Sequence, residues 1–235
     1  MLQNIPSYIS IIFEITSFLT LVLFYYAVKK SSNDIYKSKA SSIGIVLIIW
    51  LIIQAALALN NFYNTNTTAF PPKFLLLIFP PFITIAILFV TKNGRSFIDS
   101  LSLVHLTYLN IVRIPVELVL YWLCINKAVP ELMTFAGRNF DILSGITAPF
   151  IAYFGLQQKK LSKKFILIWN CIALALLINI VINAVLSAPF AFQKFAFEQP
   201  NIAVLNFPFN WLPAFIVPVV LFTHLVSIRQ LSRDK

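Results

Sequence analysis

Charge is what this sequence has least of. Only 11% of its 235 residues are Asp, Glu, Lys or Arg, while 59% are apolar and the mean hydropathy is +0.85. A soluble domain carries about a quarter charged residues, so an ordinary soluble globule is excluded. Cysteine is nearly absent. Cys124 and Cys171 fall in different apolar runs and no C-x-x-C spacing occurs, so neither a disulfide framework nor a thiolate metal site is expected. Histidine is as scarce. His105 and His224 are predicted at similar depth near the cytoplasmic ends of their helices, a spacing two imidazoles need to hold a haem or metal. A catalytic zinc, however, wants three protein ligands around an open position, and the polar cluster described below has no histidine. Neither a metal nor any other cofactor is expected. With only 5 glycines there is no glycine-rich phosphate loop, no G-x-S-x-G elbow occurs, and the last apolar run lacks a lysine for a retinal Schiff base.

Positive charge exceeds negative by 10. The basic residues do not gather on one helix face with aromatics between them, so nucleic acid is not an expected partner. They sit in short loops between long apolar runs, which is the pattern of membrane orientation. Seven runs have the roughly 17–25 residues needed to cross about 30 Å of hydrocarbon: 5–28, 43–61, 73–91, 100–125, 131–156, 164–187 and 210–230. They are too long for barrel strands and satisfy their own backbone only as helices. The predicted fold is an all-α integral membrane protein, a seven-transmembrane-helix bundle forming one polytopic domain over residues 1–235.

Orientation follows from the loops. Segments 29–42, 91–99, 157–164 and 229–235 hold thirteen Lys and Arg, whereas the alternate segments hold only Lys73, Lys127 and Lys194. The positive-inside rule therefore places the N-terminus outside and the C-terminus in the cytoplasm. Lys29-Lys30 follow the first run and no basic residue precedes it, opposite to a cleavable signal, so the first run is expected to be retained. The small size and short loops are expected of a multi-pass protein of a bacterial plasma (inner) membrane. Asn66-Thr67-Thr68 matches a glycosylation acceptor, which matters only in a eukaryotic secretory pathway.

Polar residues inside such runs are functional candidates by default, because lipid penalises them. Glu14 lies in the first run, Gln54 toward the outer end of the second, and Asn179 and Asn183 share one face of the sixth at i,i+4. Pro80-Pro81 kink the third. The aromatic segment 188–209 suits an element in the outer interface or a lid over a cavity.

The charged hairpin carries most weight. On a helix over 100–125, Ser102, His105, Asn110, Arg113 and Glu117 fall within an arc of about 140°. On a helix opened by Pro130, residues Glu131, Thr134, Arg138, Asp141, Gly145 and Pro149 fall within about 80°, and Gly145 admits a close neighbour. The turn between them is short, so the helices are antiparallel and residues at equal depth have numbers summing to about 255. That register predicts two ion pairs, Arg113–Asp141 and Glu117–Arg138.

The expected function is an outward-facing intramembrane pocket for a small anionic or amphiphilic ligand, with proton-coupled transport as its concrete form. In it Arg113 and Arg138 hold an anionic group, Glu117 and Asp141 orient them or exchange protons, and Glu14, Gln54, Asn179 and Asn183 complete the wall. Two other readings stay open: an enzyme acting on lipid or isoprenoid at the outer leaflet with Glu117 or Asp141 as acid or base, or a non-catalytic subunit binding a membrane-protein partner. Membrane lipids are partners in every case. A cysteine placed at Thr65 should react with an impermeant thiol reagent applied outside, and one at Ser162 should not; reversed labelling would overturn the orientation.

Overall fold

The computed structural model describes residues 5–67 and 70–233, and among them the regular structure is entirely helical. Thr68 of the glycosylation acceptor lies outside the described residues. Ten α-helices follow in chain order: α1 (Ser7–Lys29), α2 (Asp34–Ser38), α3 (Ala40–Leu59), α4 (Leu75–Val90), α5 (Lys92–Ser100), α6 (Leu103–Leu109), α7 (Arg113–Ile125), α8 (Ile142–Phe150), α9 (Lys163–Leu186) and α10 (Val217–Arg233). Five helices are long and apolar enough to cross a membrane: α1, α3, the α6–α7 unit Leu103–Ile125, α9, and Leu212–Arg233, which ends in α10. A sixth is reached only by joining α4 to α5 across a 94° bend, and Ile142–Gln157 is apolar but shorter. The exposed faces are those of a membrane-associated protein. Along α3, Ile45, Val46, Ile48, Ile49, Ile52 and Ile53 are all exposed, an apolar stripe that water does not tolerate.

The central helices are α1, α6–α7 and α10. Ile9, Phe13, Leu106, Leu109, Val112, Val119 and Val226 are all at most 1% exposed and share one cluster. Prolines set the local irregularities. Pro115 cannot donate to the carbonyl four residues earlier, and the chain tightens into a 3-10 turn at Asn110–Val112. Pro149 precedes a π-helical turn at Ile151–Gln157, and Pro213 lies within another at Leu212–Ile216. Pro218 leaves the Ala214 carbonyl without its helical donor, and the Trp50 indole donates to it at 2.9 Å.

One expected run changes in shape. The 131–156 run is not one helix: residues 131–141 form a 3-10 turn and an irregular link, and α8 begins at Ile142. The Thr134 hydroxyl donates to Glu131 O and the Asn139 amide to Met133 O, so local side chains satisfy the backbone that a helix would have paired. Gly137 sits so close to Glu131 O that an added Cβ would lie 2.3 Å from it. The third run ends close to its expected boundary, at Val90: Thr91 is extended and caps α5 by accepting from Gly94 N, while the Arg95 guanidinium takes the Val90 carbonyl at 2.5 Å.

Of segment 188–209, the two ends, 188–190 and 201–209, pack inward as a cap, while residues 191–198 stay at the surface. Asn201 N donates to Ser187 O, both Ile202 N and Ala203 N donate to Ala128 O, and the Gln199 amide reaches Cys124 O and Val129 O. At the lysine-rich end, α5 is strapped to α10. Asp99 receives Arg229 at 2.7 and 3.0 Å and also Arg233, while Gln230 donates to Ile98 O and Leu101 O. The two guanidiniums, Arg229 first, hold the Asp99 carboxyl below the usual carboxylate range. A depressed folded-state value means that this stabilisation is complete above the ordinary carboxylate range and lost as pH falls through the folded-state value. Acid titration of purified protein should show that loss as a falling melting temperature, and Asp99→Asn should flatten that limb while lowering the neutral-pH plateau.

Candidate functional site

Arg113 opens α7, about midway along the Leu103–Ile125 unit, and is 2% exposed. The 3-10 turn imposed before Pro115 aims it at α8, which comes close because residue 145 is glycine: a Cβ there would meet Arg113 Cβ and Ile114 N at 3.1 Å. The expected Arg113–Asp141 pair forms, with Nε and Oδ2 2.9 Å apart and both side chains at most 6% exposed. The other guanidinium nitrogens are also engaged. One meets His224 Nε2 at 3.1 Å and the other donates to Ala173 O at 3.1 Å. A guanidinium has no lone pair to give, so His224 Nε2 is the acceptor; its Nδ1–H then donates to Asn170 Oδ1 at 2.9 Å. Both ring nitrogens of His224 are therefore occupied by protein, and His105 Nδ1 lies 2.8 Å from the Ser102 hydroxyl. Among the described residues no three His, Cys, Asp or Glu groups gather as a metal site.

The expected Glu117–Arg138 pair does not form. Glu117 is 1% exposed and both its oxygens accept from Asn139 Nδ2, at 2.7 and 2.6 Å, while Asn139 Oδ1 accepts from Asp141 N. The equal-depth register assumed a helix through 131–141; in the irregular link Arg138 turns out to the surface and Asn139 turns in. Asn139 is the residue that sequence reasoning missed. On a regular helix it falls outside the polar arc, so no periodic signal marks it.

The remaining candidates separate. Asn179 donates to the Arg138 carbonyl at 2.9 Å and Asn183 donates to Asn179, so this pair tethers the link to α9. Gln54 is fully buried elsewhere, accepting from the Tyr63 hydroxyl at 2.5 Å, while its carbonyl accepts from Asn210. Glu14 is half-buried on α1 with no hydrogen bond or ion pair among the described residues. The wall expected from five helices thus reduces to three charged groups, Arg113, Glu117 and Asp141, supported by Asn139, Asn170 and His224.

These three charges line the floor of a cavity of about 70 Å³. Its walls are α4, α9 and the Leu212–Arg233 helix. Toward the cap it is closed by Met133, Asn201 and Val204, all at most 4% exposed. Ile78, Phe82, Val181, Ala184 and Val217 keep partial exposure, so the cleft opens sideways between α4 and α9. Asp141 Oδ1, buried, has no hydrogen-bond partner among the described residues. The family described as a domain of unknown function, DUF8737, matches residues 71–232.

The chain belongs to the DUF8737 family. The DUF8737 match runs from before α4 to the end of α10, so it contains Arg113, Glu117, Asn139, Asp141, Asn170 and His224 and leaves out α1 with Glu14 and α3 with Gln54. No curated protein and no solved structure matches the chain.

Removing one partner of a buried pair strands the other charge, at a cost of about 3–5 kcal/mol. Arg113→Leu should therefore unfold the protein at markedly lower temperature in detergent, and the swapped pair Arg113→Asp with Asp141→Arg should recover part of the loss. Gly145→Leu should lower the melting temperature through overpacking worth about 1–3 kcal/mol, because its side chain drives α8 away from Arg113.

Proposed function

We propose that this is a seven-helix membrane protein, start outside and end in the cytoplasm, that takes an amphiphilic ligand from lipid into the cleft above Arg113, Glu117 and Asp141. The seven helices are α1, α3, α4, α6–α7, the Ile142–Gln157 helix, α9 and Leu212–Arg233. The two shorter ones, α4 and Ile142–Gln157, are each 16 residues and so about 24 Å long. That falls slightly short of the hydrocarbon core, and local thinning or flanking residues accommodate such a mismatch.

The observation that carries the ligand reading is an unpartnered buried carboxylate oxygen, Asp141 Oδ1, at the floor of an apolar cleft that opens sideways. Charge count decides what meets it. One guanidinium faces two carboxyls, and an uncompensated ion at mid-span costs several kcal/mol. A proton or a cationic or hydrogen-bond-donating ligand group restores the balance; an anion does not. Arg113 is ion-paired with Asp141 and donates to His224 and Ala173, though its buried Nε makes no well-aligned hydrogen bond, and Arg138 lies outside, so the pair of cations expected to grip an anion is missing. Arg113 then acts as a positioning residue that holds Asp141, and Glu117 with Asp141 receives the ligand. Exchange of a proton for that ligand is the coupling step of the proposed transport.

The test uses a photoreactive dodecylamine on protein in lipid vesicles, with photoreactive dodecanoate as counter-probe. Adducts of the amine should map to Ile78, Phe82 and Val181 and disappear in Ala184→Trp, which fills the cleft. Glu117→Gln should weaken amine binding about tenfold, the loss of one charge-assisted hydrogen bond, and abolish the proton release seen by a pH dye. Adducts indifferent to both variants would make the charged centre a structural clasp, and preferential capture of dodecanoate would overturn the charge argument.

A further inference from the structure

A second, larger cavity of about 720 Å³ lies on the other flank of α4, between α4 and α3, with α10 as its back wall. The volume falls within the range of small-molecule sites. Its ends differ in chemistry. Lys39, Ser42 and Asn93 surround one end, and Trp50, Pro80 and Pro81 form the other. The wall between is aliphatic and aromatic, and no Asp or Glu is among the described residues that line the cavity.

The depth is informative. Lys39 and Trp50 are eleven residues apart on or beside α3, as are Pro80 on α4 and Thr91 just past its end, so the groove is about 16 Å deep at 1.5 Å per residue. Half of a hydrocarbon core of about 30 Å is one leaflet. The polar end lies at the lysine-rich boundary of the helices, where lipid headgroups sit in the proposed orientation. Neither the Lys39 ammonium nor the Ser42 hydroxyl has a protein partner among the described residues, and both are exposed. Nearby Asp34 is already matched with Lys37 at 3.2 Å and does not line the groove.

We infer that this groove is a binding site for one anionic phospholipid of the cytoplasmic leaflet, with its phosphate at Lys39 and an acyl chain laid along α3 and α4 down to Pro80-Pro81. Charge selects the lipid, since Lys39 at the mouth is opposed by no acid among the described lining residues. The aromatic floor, where the Trp50 indole is turned away to donate to Ala214 O, offers the chain end only apolar surface. This site shares with the Arg113 cleft the membrane-spanning reading and nothing else, because α4 separates them and their lining residues do not overlap.

Native mass spectrometry of the full chain, titrated in mild detergent with phosphatidylglycerol or with phosphatidylcholine of the same chains, tests it. One phosphatidylglycerol should be retained in preference to phosphatidylcholine. Lys39→Gln should lower that preference about fivefold, the effect of one lysine at a lipid surface. Val46→Trp, at an exposed wall position, should remove retention of both lipids, with Ser42→Trp as the substitute if it folds poorly. Lys127→Gln, at the opposite end, should change nothing, and neither should Ala184→Trp in the other cleft, which separates failure of this site from failure of that one. Equal retention of the two lipids by the unmodified protein, an equal loss in Lys127→Gln and Lys39→Gln, or retention unaffected by a tryptophan in the groove would overturn the inference.

Discussion

A guanidinium cannot shed its charge, and the burial of Arg113 midway along the Leu103–Ile125 unit is the constraint to which the surrounding structure answers. Four elements supply its environment. The 3-10 turn before Pro115 aims it, glycine at 145 lets α8 approach, and Asp141 at the head of α8 neutralises it. Ala173 on α9 gives a carbonyl, and His224 on α10 gives a ring nitrogen whose tautomer is fixed in turn by Asn170. The result is a polar chain from Asn170 through His224 and Arg113 to Asp141, continued by Asn139 to Glu117, inside an otherwise apolar interior. Each link is a side chain whose loss would strand its neighbour, which makes such networks costly to break.

The same logic governs the backbone. Where prolines or chain breaks deprive carbonyls of helical donors, side chains from other elements supply them: Trp50 to Ala214, Arg95 to Val90, Gln230 to Leu101. In lipid, water is not available to do this, so irregular backbone survives only where protein covers it. The cap obeys the rule as well, with Ala128 O accepting two backbone donors and Gln199 bridging two further carbonyls. Closing that end leaves the cleft over Arg113 open only sideways, which is why the proposed ligand is amphiphilic rather than water-borne.

The position of α4 gives the molecule its asymmetry. This short helix with two internal prolines has a cavity on each flank, one reaching the charged centre and one bounded by Lys39. This helix packs on the Leu212–Ile216 turn and on α10 and turns directly into α5, and α5 is strapped to α10 by Asp99, Arg229 and Arg233. The salt-bridged belt at the lysine-rich end therefore fixes the element on which both proposed sites depend.

By itself the sequence determined the all-helical class, the apolar helices and the residues of the main ion pair. Hydropathy, helical period and the antiparallel register of a hairpin are local or nearly local quantities, and the close approach of α8 to α7 at Gly145 keeps that register for Arg113 and Asp141. Only the tertiary structure decided which of the remaining polar residues met. Glu117 found Asn139 instead of Arg138 because residues 131–141 pair their backbone with their own side chains, and a competition between helix and local hydrogen bonds leaves no periodic trace. His224 joined Arg113 across more than a hundred residues, while Gln54, Asn179 and Asn183 were spent on Tyr63 and on the link near Arg138. Such pairings depend on how helices rotate and approach one another in the bundle, and that is set by the packing of all of them at once rather than by the composition of any one.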